Sequence, residues 1–143
     1  MSGQLSHELE VNVPASDAWE LYDRLGLAKL VVEDGSIVEK IEVIEDGFSV
    51  QREKFTKYDN EKRMKELEVM EGGYLDLGLT LFRVRFEIIE KNNDSCIIKS
   101  TIEYDIKEEV VANTSYVTTD LVAKIAEIAK KYLIKNKATK NAK

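Results

Sequence analysis

The sequence contains very little cysteine, proline and histidine, with one residue of each in 143. Its lone thiol, Cys96, can form no disulfide within the chain, a pattern typical of proteins in a reducing compartment. One histidine and one cysteine are too few for a zinc-type cluster, so we expect no metal and no cofactor. No apolar run approaches the roughly 20 residues of a membrane span, and no signal peptide is visible at the N-terminus. We therefore expect a cytoplasmic protein without a membrane partner.

A concentrated positive charge is also missing, because 27 acidic residues oppose 21 basic ones and the net charge is -6 at pH 7. Proteins that bind nucleic acid usually present a basic face, so we expect no such partner. The hydrophobic fraction of 43% and the charged fraction of 34% are typical of a folded, soluble protein. The length suits one domain, which we place at residues 1–143, as a monomer or weak dimer.

Most of the chain has the period of β-strands. Residues 5–13 alternate between apolar and polar side chains, with His7 assigned mainly to the polar face. A short helix is predicted after Pro14, closed by Gly26. Further strands are predicted at Ile37–Ile44, Phe48–Lys57, Arg63–Met70, Thr80–Glu90 and Cys96–Ile106.

From about Thr118 the apolar residues recur with the period of a helix. The predicted apolar stripe consists of Leu121, Ile125, Ile128 and Tyr132, with Val122, Ala126, Ala129 and Leu133 beside it. Residues 136–143 are basic and polar, and we expect a disordered tail there. An antiparallel sheet with its helices segregated belongs to the α+β class.

Several phrases of the sequence resemble one plant protein family. They are HELEV at 7–11, GLAK at 26–29, EGGYLDLG at 71–78 and DSCIIKS at 94–100. In this order they resemble the pathogenesis-related class 10, or Bet v 1, family and within it the norcoclaurine synthases, over about residues 7–135. The resemblance implies a helix-grip fold, in which a curved antiparallel sheet surrounds a long C-terminal helix and a cavity lies between them. The family's glycine-rich loop and one strand are missing between Gly47 and Gln51, so we expect one strand fewer.

The resemblance also implies a reaction in that cavity. It is the Pictet–Spengler condensation of an aromatic amine such as dopamine with an aldehyde, here 4-hydroxyphenylacetaldehyde. The lysine and glutamate implied for proton transfer fall on Lys65 and Glu53. The implied tyrosine and aspartate positions hold Gln51 and Val84 instead.

The residues themselves leave the role of the two ionisable groups open. Lys65 shares a strand face with Leu67 and Val69, which would bury it and lower its pKa. Lys65 and Glu53 are equally consistent with solvated strand charges. The expected cavity lining comprises Gln51, Tyr74, Phe82, Val84 and Tyr104. The alternative function is a non-catalytic carrier of small hydrophobic plant metabolites.

Overall fold

A computed structural model describes residues 1–23, 26–34 and 52–141. The strands are β1 (Ser2–Val11), β2 (Arg52–Asp59), β3 (Met64–Glu71), β4 (Leu79–Asn92) and β5 (Ser95–Ile106). The helices are α1 (Ala15–Asp23), α2 (Gly26–Asp34) and α3 (Asp120–Asn141), with 3₁₀ segments at Gly73–Leu77 and Glu108–Tyr116. The predicted strand Ile37–Ile44 and the place of the missing strand lie outside the described residues.

The described strands form one antiparallel sheet of five strands in the order β1-β5-β4-β3-β2. Strands β2 to β5 pair in sequence order as a meander, and β1 adds beside β5. Alternate residues of β4 are buried, namely Phe82, Val84, Phe86 and Ile88. One face of the sheet is therefore apolar, and this inner face carries the core, as the alternating sequence predicts.

The long helix α3 packs against β1, β5 and the two short helices. Its buried side chains are Val122, Ala126, Ala129 and Leu133. The predicted stripe is wrong at two of its positions, because Leu121 and Tyr132 are 39% and 37% exposed. The buried face is the predicted neighbouring row, where two alanines let the helix approach the sheet closely.

Two helix boundaries differ from those predicted, the start of α2 and the end of α3. Gly26 begins α2 rather than closing α1. At the C-terminus, α3 continues to Asn141, six residues into the expected tail. The Lys137 ammonium donates a hydrogen bond of 2.7 Å to the Asn12 carbonyl, which ties this last part of the helix to the end of β1. Lysine and alanine, which are common in this stretch, are also good helix formers.

His7 was assigned to the wrong face of β1. It pairs with Ser100 of β5 and is half-buried on the same side as Leu5 and Leu9. A strict period of two places residues 5, 7 and 9 together, and the imidazole follows this backbone rule despite its polarity.

The outer face of the sheet carries a ladder of charges centred on Glu66, which is only 1% exposed. Its carboxylate accepts hydrogen bonds from the Thr56 hydroxyl at 2.8 Å and from Arg85 Nε at 3.2 Å. Arg85 also contacts Glu103, and Arg83 donates to Glu68 at 2.8 Å. The two faces of the sheet therefore differ sharply, with hydrocarbon inside and paired charges outside.

Candidate active site

Lys65 lies on β3 with its side chain on the inner face. It pairs with Phe86 of β4 and is 8% exposed. Its Nζ is 5.7 Å from the ring centroid of Phe55 and 5.8 Å from that of Phe86. These distances allow cation–π attraction on two sides of the ammonium group. Burial lowers the pKa of Lys65 below its ordinary value, and the negative charge of Asp23 partly opposes this shift.

A β-bulge in β2 determines which residue lies opposite Lys65. The pairing shifts between Phe55 and Lys57, so Lys57 pairs with Glu66 and Tyr58 pairs with Lys65. Without the extra residue, strict alternation would place Lys57 on the inner face with Phe55. The bulge instead puts an aromatic hydroxyl beside the buried lysine.

The helix α1 closes this end of the inner face. The Tyr58 hydroxyl donates a hydrogen bond to Asp23 at the end of α1. The Trp19 ring lies 5.9 Å from the Tyr58 ring, and its indole N–H donates to Asn60 at 2.7 Å. Phe55 and Tyr58 are 67% and 55% exposed, so the buried lysine lies beside aromatic side chains that reach the surface.

Glu53 is the residue predicted to act together with Lys65. Glu53 lies on β2 and pairs with Val69, four residues beyond Lys65 along β3. Four residues of strand span about 13 Å, so the two backbones are separated by roughly the length of a small aromatic molecule. Gln51 lies outside the described residues.

The opposite end of the inner face is aromatic. Tyr74, in the first 3₁₀ segment, stacks on Phe82 with ring centroids 4.4 Å apart and planes inclined by 13°. Phe82 pairs with Tyr104 on β5, and the Tyr104 ring lies where a side chain at Gly3 would be. Burial, and secondarily the charge of Asp120, raise the pKa of Tyr74. The predicted lining residues Tyr74, Phe82 and Tyr104 are thus brought together.

Val84 lies between the two ends. It pairs with Leu67 on one side and Ile102 on the other, and it is 8% exposed. The middle of the inner face is therefore apolar where the resemblance implies an aspartate. Phe82 and Phe86 flank Val84 and are separated by about 13 Å of strand. The inner face therefore carries stacked aromatic rings at one end and Lys65 at the other.

Sequence reasoning missed Asp23 and Tyr58. Neither has a signal in the local pattern, because the bulge shifts the alternation of β2 and because α1 reaches β2 only through tertiary packing. Cys96 is fully buried, and burial raises its pKa to about 11. Within the described ranges, no cluster of three or more His, Cys, Asp or Glu residues could hold a metal. No helix in those ranges is long and apolar enough to cross a membrane.

Comparison with known proteins identifies the family. The sequence profile of the "Pathogenesis-related protein Bet v 1 family" matches residues 1–136. The chain belongs to this family. The Bet v 1-like α+β fold expected from the sequence is thereby confirmed. Since residues 35–51 are not described, the expected loss of a strand stays a prediction.

Several Bet v 1 relatives are synthases. The chain is 40% identical to a norbelladine synthase of Narcissus pseudonarcissus, over 96% of each protein. It is 36% identical to an S-norcoclaurine synthase of Thalictrum flavum subsp. glaucum, over 96% of this chain and 74% of that one. A norcoclaurine synthase structure from Thalictrum flavum, in complex with dopamine and hydroxybenzaldehyde, matches with a TM-score of 0.75 and 29% identity. That match covers 94% of this chain and 88% of the other.

Proposed function

We propose that this protein condenses an arylethylamine with an aldehyde in a Pictet–Spengler reaction, with dopamine and 4-hydroxyphenylacetaldehyde as the first substrates to test. The observation that carries the proposal is Lys65, buried between Phe55 and Phe86 at one end of an apolar, aromatic interior. The relatives of this protein include norcoclaurine synthases, and the structure of one was determined in complex with dopamine and hydroxybenzaldehyde. We place the reaction in the cytoplasm, with no cofactor.

The first step requires a free amine. An arylethylamine is an ammonium ion at neutral pH, since its pKa resembles the value of about 10.4 for lysine. Burial lowers the pKa of Lys65, so its neutral form is available to accept the ammonium proton. The amine nitrogen then bonds to the aldehyde carbon. The addition product transfers one N–H proton from its nitrogen to the former carbonyl oxygen, and protonated Lys65 supplies the second proton. The oxygen then leaves as water, and an iminium ion remains.

Ring closure completes the reaction. A carbon of the amine's aromatic ring attacks the iminium carbon, and the ring must then lose a proton to regain aromaticity. We assign this proton to the Glu53 carboxylate, which the resemblance supports. The net change joins amine and aldehyde by one C–N and one C–C bond and releases one water.

The remaining residues position the substrates. Tyr74, Phe82 and Tyr104 form an apolar, flat-sided end suited to an aromatic ring. Phe86 and Phe55 exclude water around Lys65. Holding two aromatic reactants in one site replaces a bimolecular encounter with an oriented one.

A second candidate is the non-catalytic carrier. Val84 favours it, because a buried valine stands where the resemblance implies an aspartate. A carrier needs only the apolar interior, whereas catalysis also needs Lys65 and Glu53.

The decisive experiment is product analysis by chiral chromatography. Dopamine and 4-hydroxyphenylacetaldehyde are incubated with wild-type protein, Lys65→Ala and Glu53→Ala. The uncatalysed reaction gives a racemate, so we expect an enantiomeric excess with the wild type. We expect a loss of about 100-fold or more in rate for each variant, the usual size of a proton-transfer contribution.

Lys99→Ala serves as the matched control, because Lys99 lies on the outer face of β5. It should retain the wild-type rate and enantiomeric excess. A racemate at background rate from folded wild-type protein would refute the proposed reaction for these substrates. Binding of dopamine without turnover would favour the carrier.

A further inference from the structure

Asp23 occupies an unusual position for a carboxylate. It is the last residue of α1 and is only partly exposed. The carboxyl end of a helix carries partial negative charge, so an acidic side chain there is unfavourable unless a nearby group offsets it. No basic residue lies in the last turn of this described helix. A residue that breaks a local preference in this way often belongs to a functional site.

The Tyr58 hydroxyl and the Lys65 ammonium group lie near the Asp23 carboxylate. The Tyr58 hydroxyl donates a hydrogen bond to its carboxylate, and Tyr58 lies directly opposite Lys65 in the pairing of β2 with β3. The bulge at Phe55–Lys57 is what turns Tyr58 toward this side. Asp23, Tyr58 and Lys65 therefore form one cluster, with one residue each from α1, β2 and β3.

We propose that Asp23 is a positioning residue for Lys65. Its carboxylate, supplied by α1, stabilises the lysine ammonium group on the apolar inner face of the sheet, where the buried Val84 supplies no charge. As a statement about catalysis, this inference rests on the proposed function. The part of the inference that concerns the protonation of Lys65 does not depend on the proposed function.

The electrostatic balance at Lys65 supports this role. Burial lowers the pKa of the lysine, and the charge of Asp23 raises it. Among the residues that the structure describes, Asp23 from α1 and the Tyr58 phenol from β2 lie near Lys65, while β4 contributes the uncharged Phe86 and Val84. Removal of the Asp23 charge should therefore destabilise the ammonium form and lower the pKa of Lys65 further.

The test is a direct NMR titration of the Lys65 side chain in protein labelled at the lysine ε position. Lys65→Met identifies the signal by its disappearance. We expect Asp23→Asn to lower the pKa of Lys65 by about one unit, at the lower end of the effect of a nearby opposite charge. Asp23→Glu, which keeps the charge, should restore most of the wild-type value.

Glu8→Gln is the matched control, because Glu8 is exposed on the outer face of β1 and carries the same charge. It should leave the Lys65 titration unchanged. An unchanged titration in Asp23→Asn, or an equal shift in Glu8→Gln, would overturn the inference. If Asp23→Asn does not fold, as judged by the fluorescence of Trp19, Asp23→Ser takes its place.

A kinetic arm separates this inference from the proposed reaction. With turnover, the pH of half-maximal kcat should move in Asp23→Asn in the same direction as the NMR titration. A kcat profile that does not move would refute the catalytic role. If the wild type shows no turnover, the proposed function fails, while the NMR titration still decides the role of Asp23.

Discussion

At the scale of single residues, Cys96 shows how burial makes a thiol unreactive. Its side chain is fully buried, and loss of hydration, with a smaller contribution from the Asp17 charge, raises its pKa to about 11. The thiolate, which is the reactive form, is therefore scarce near neutral pH.

We predict that Cys96 reacts with a thiol reagent at pH 8 about 100-fold or more slowly in the native protein than in urea. An ordinary thiol has a pKa near 8.5, so its thiolate fraction at pH 8 is larger by roughly that factor. The measurement is the rate of thiol labelling followed by absorbance. Rapid stoichiometric labelling of the folded protein would contradict the buried position.

The direction of Lys65 could be predicted from the sequence, whereas its partners could not. Alternation with Leu67 and Val69 already placed Lys65 on the inner face. The bulge that brings Tyr58 beside it depends on one extra residue, Thr56, whose hydroxyl contacts Glu66 on the other face. Asp23 is 42 positions away from Lys65 in the sequence, and only the docking of α1 brings it near.

At the scale of the strand, the charges on the outer face stabilise β3. Burial alone would raise the pKa of Glu66, but hydrogen bonds from Thr56 and Arg85 outweigh this effect, and its pKa lies below the ordinary 4.5. A carboxyl pKa that is lower in the folded protein than in the unfolded chain means that folding stabilises the ionised carboxylate. This contribution is complete above about pH 4.5 and is lost as the pH falls through the folded-state pKa.

We predict that Glu66→Gln lowers the free energy of unfolding by about 2 kcal/mol at pH 7, the value of hydrogen bonds to a buried charged group. The difference from wild type should be smaller at pH 3, because the ionic contribution declines as the pH falls below 4.5. Urea unfolding at both pH values measures it. Glu8→Gln, on the exposed outer face of β1, should have little effect, and a pH-independent difference would contradict the assigned ionic role.

Element types were more predictable than their details. The strands at β3, β4 and β5 match the predicted ranges to within two residues because their alternation is regular. The predicted apolar side of α3 was too wide, because Leu121 and Tyr132 are apolar enough to suggest burial. The sheet instead selects the face with Ala126 and Ala129, and this preference for close packing is not encoded in hydrophobicity.

At the scale of the whole molecule, the interior between sheet and helices is apolar, with Lys65 at one end, and the proposed function requires space for a ligand there. A ligand that fills such a space binds the folded protein but not the unfolded chain. It therefore stabilises the fold by an amount that rises with the logarithm of its concentration once this exceeds its Kd.

We predict that 2-phenylethylamine raises the Tm, with a stabilisation of about 2.7 kcal/mol at 100 times its Kd. Ethylamine, which lacks the ring, should give no shift at the same concentration because the aromatic end would stay unfilled. Differential scanning fluorimetry measures both. Equal shifts for the two amines would indicate surface ionic binding rather than occupation of the interior.

Lys65 and Glu66 are adjacent in the sequence but lie on opposite faces of β3. Successive residues of this strand therefore have different roles, one in the proposed reaction and one in the stability of the sheet. The same division holds along β4, where Phe82, Val84 and Phe86 lie inward and Arg83 and Arg85 outward. For enzyme engineering, a library restricted to the inward positions would explore new substrate shapes while the scaffold's ionic framework stays intact.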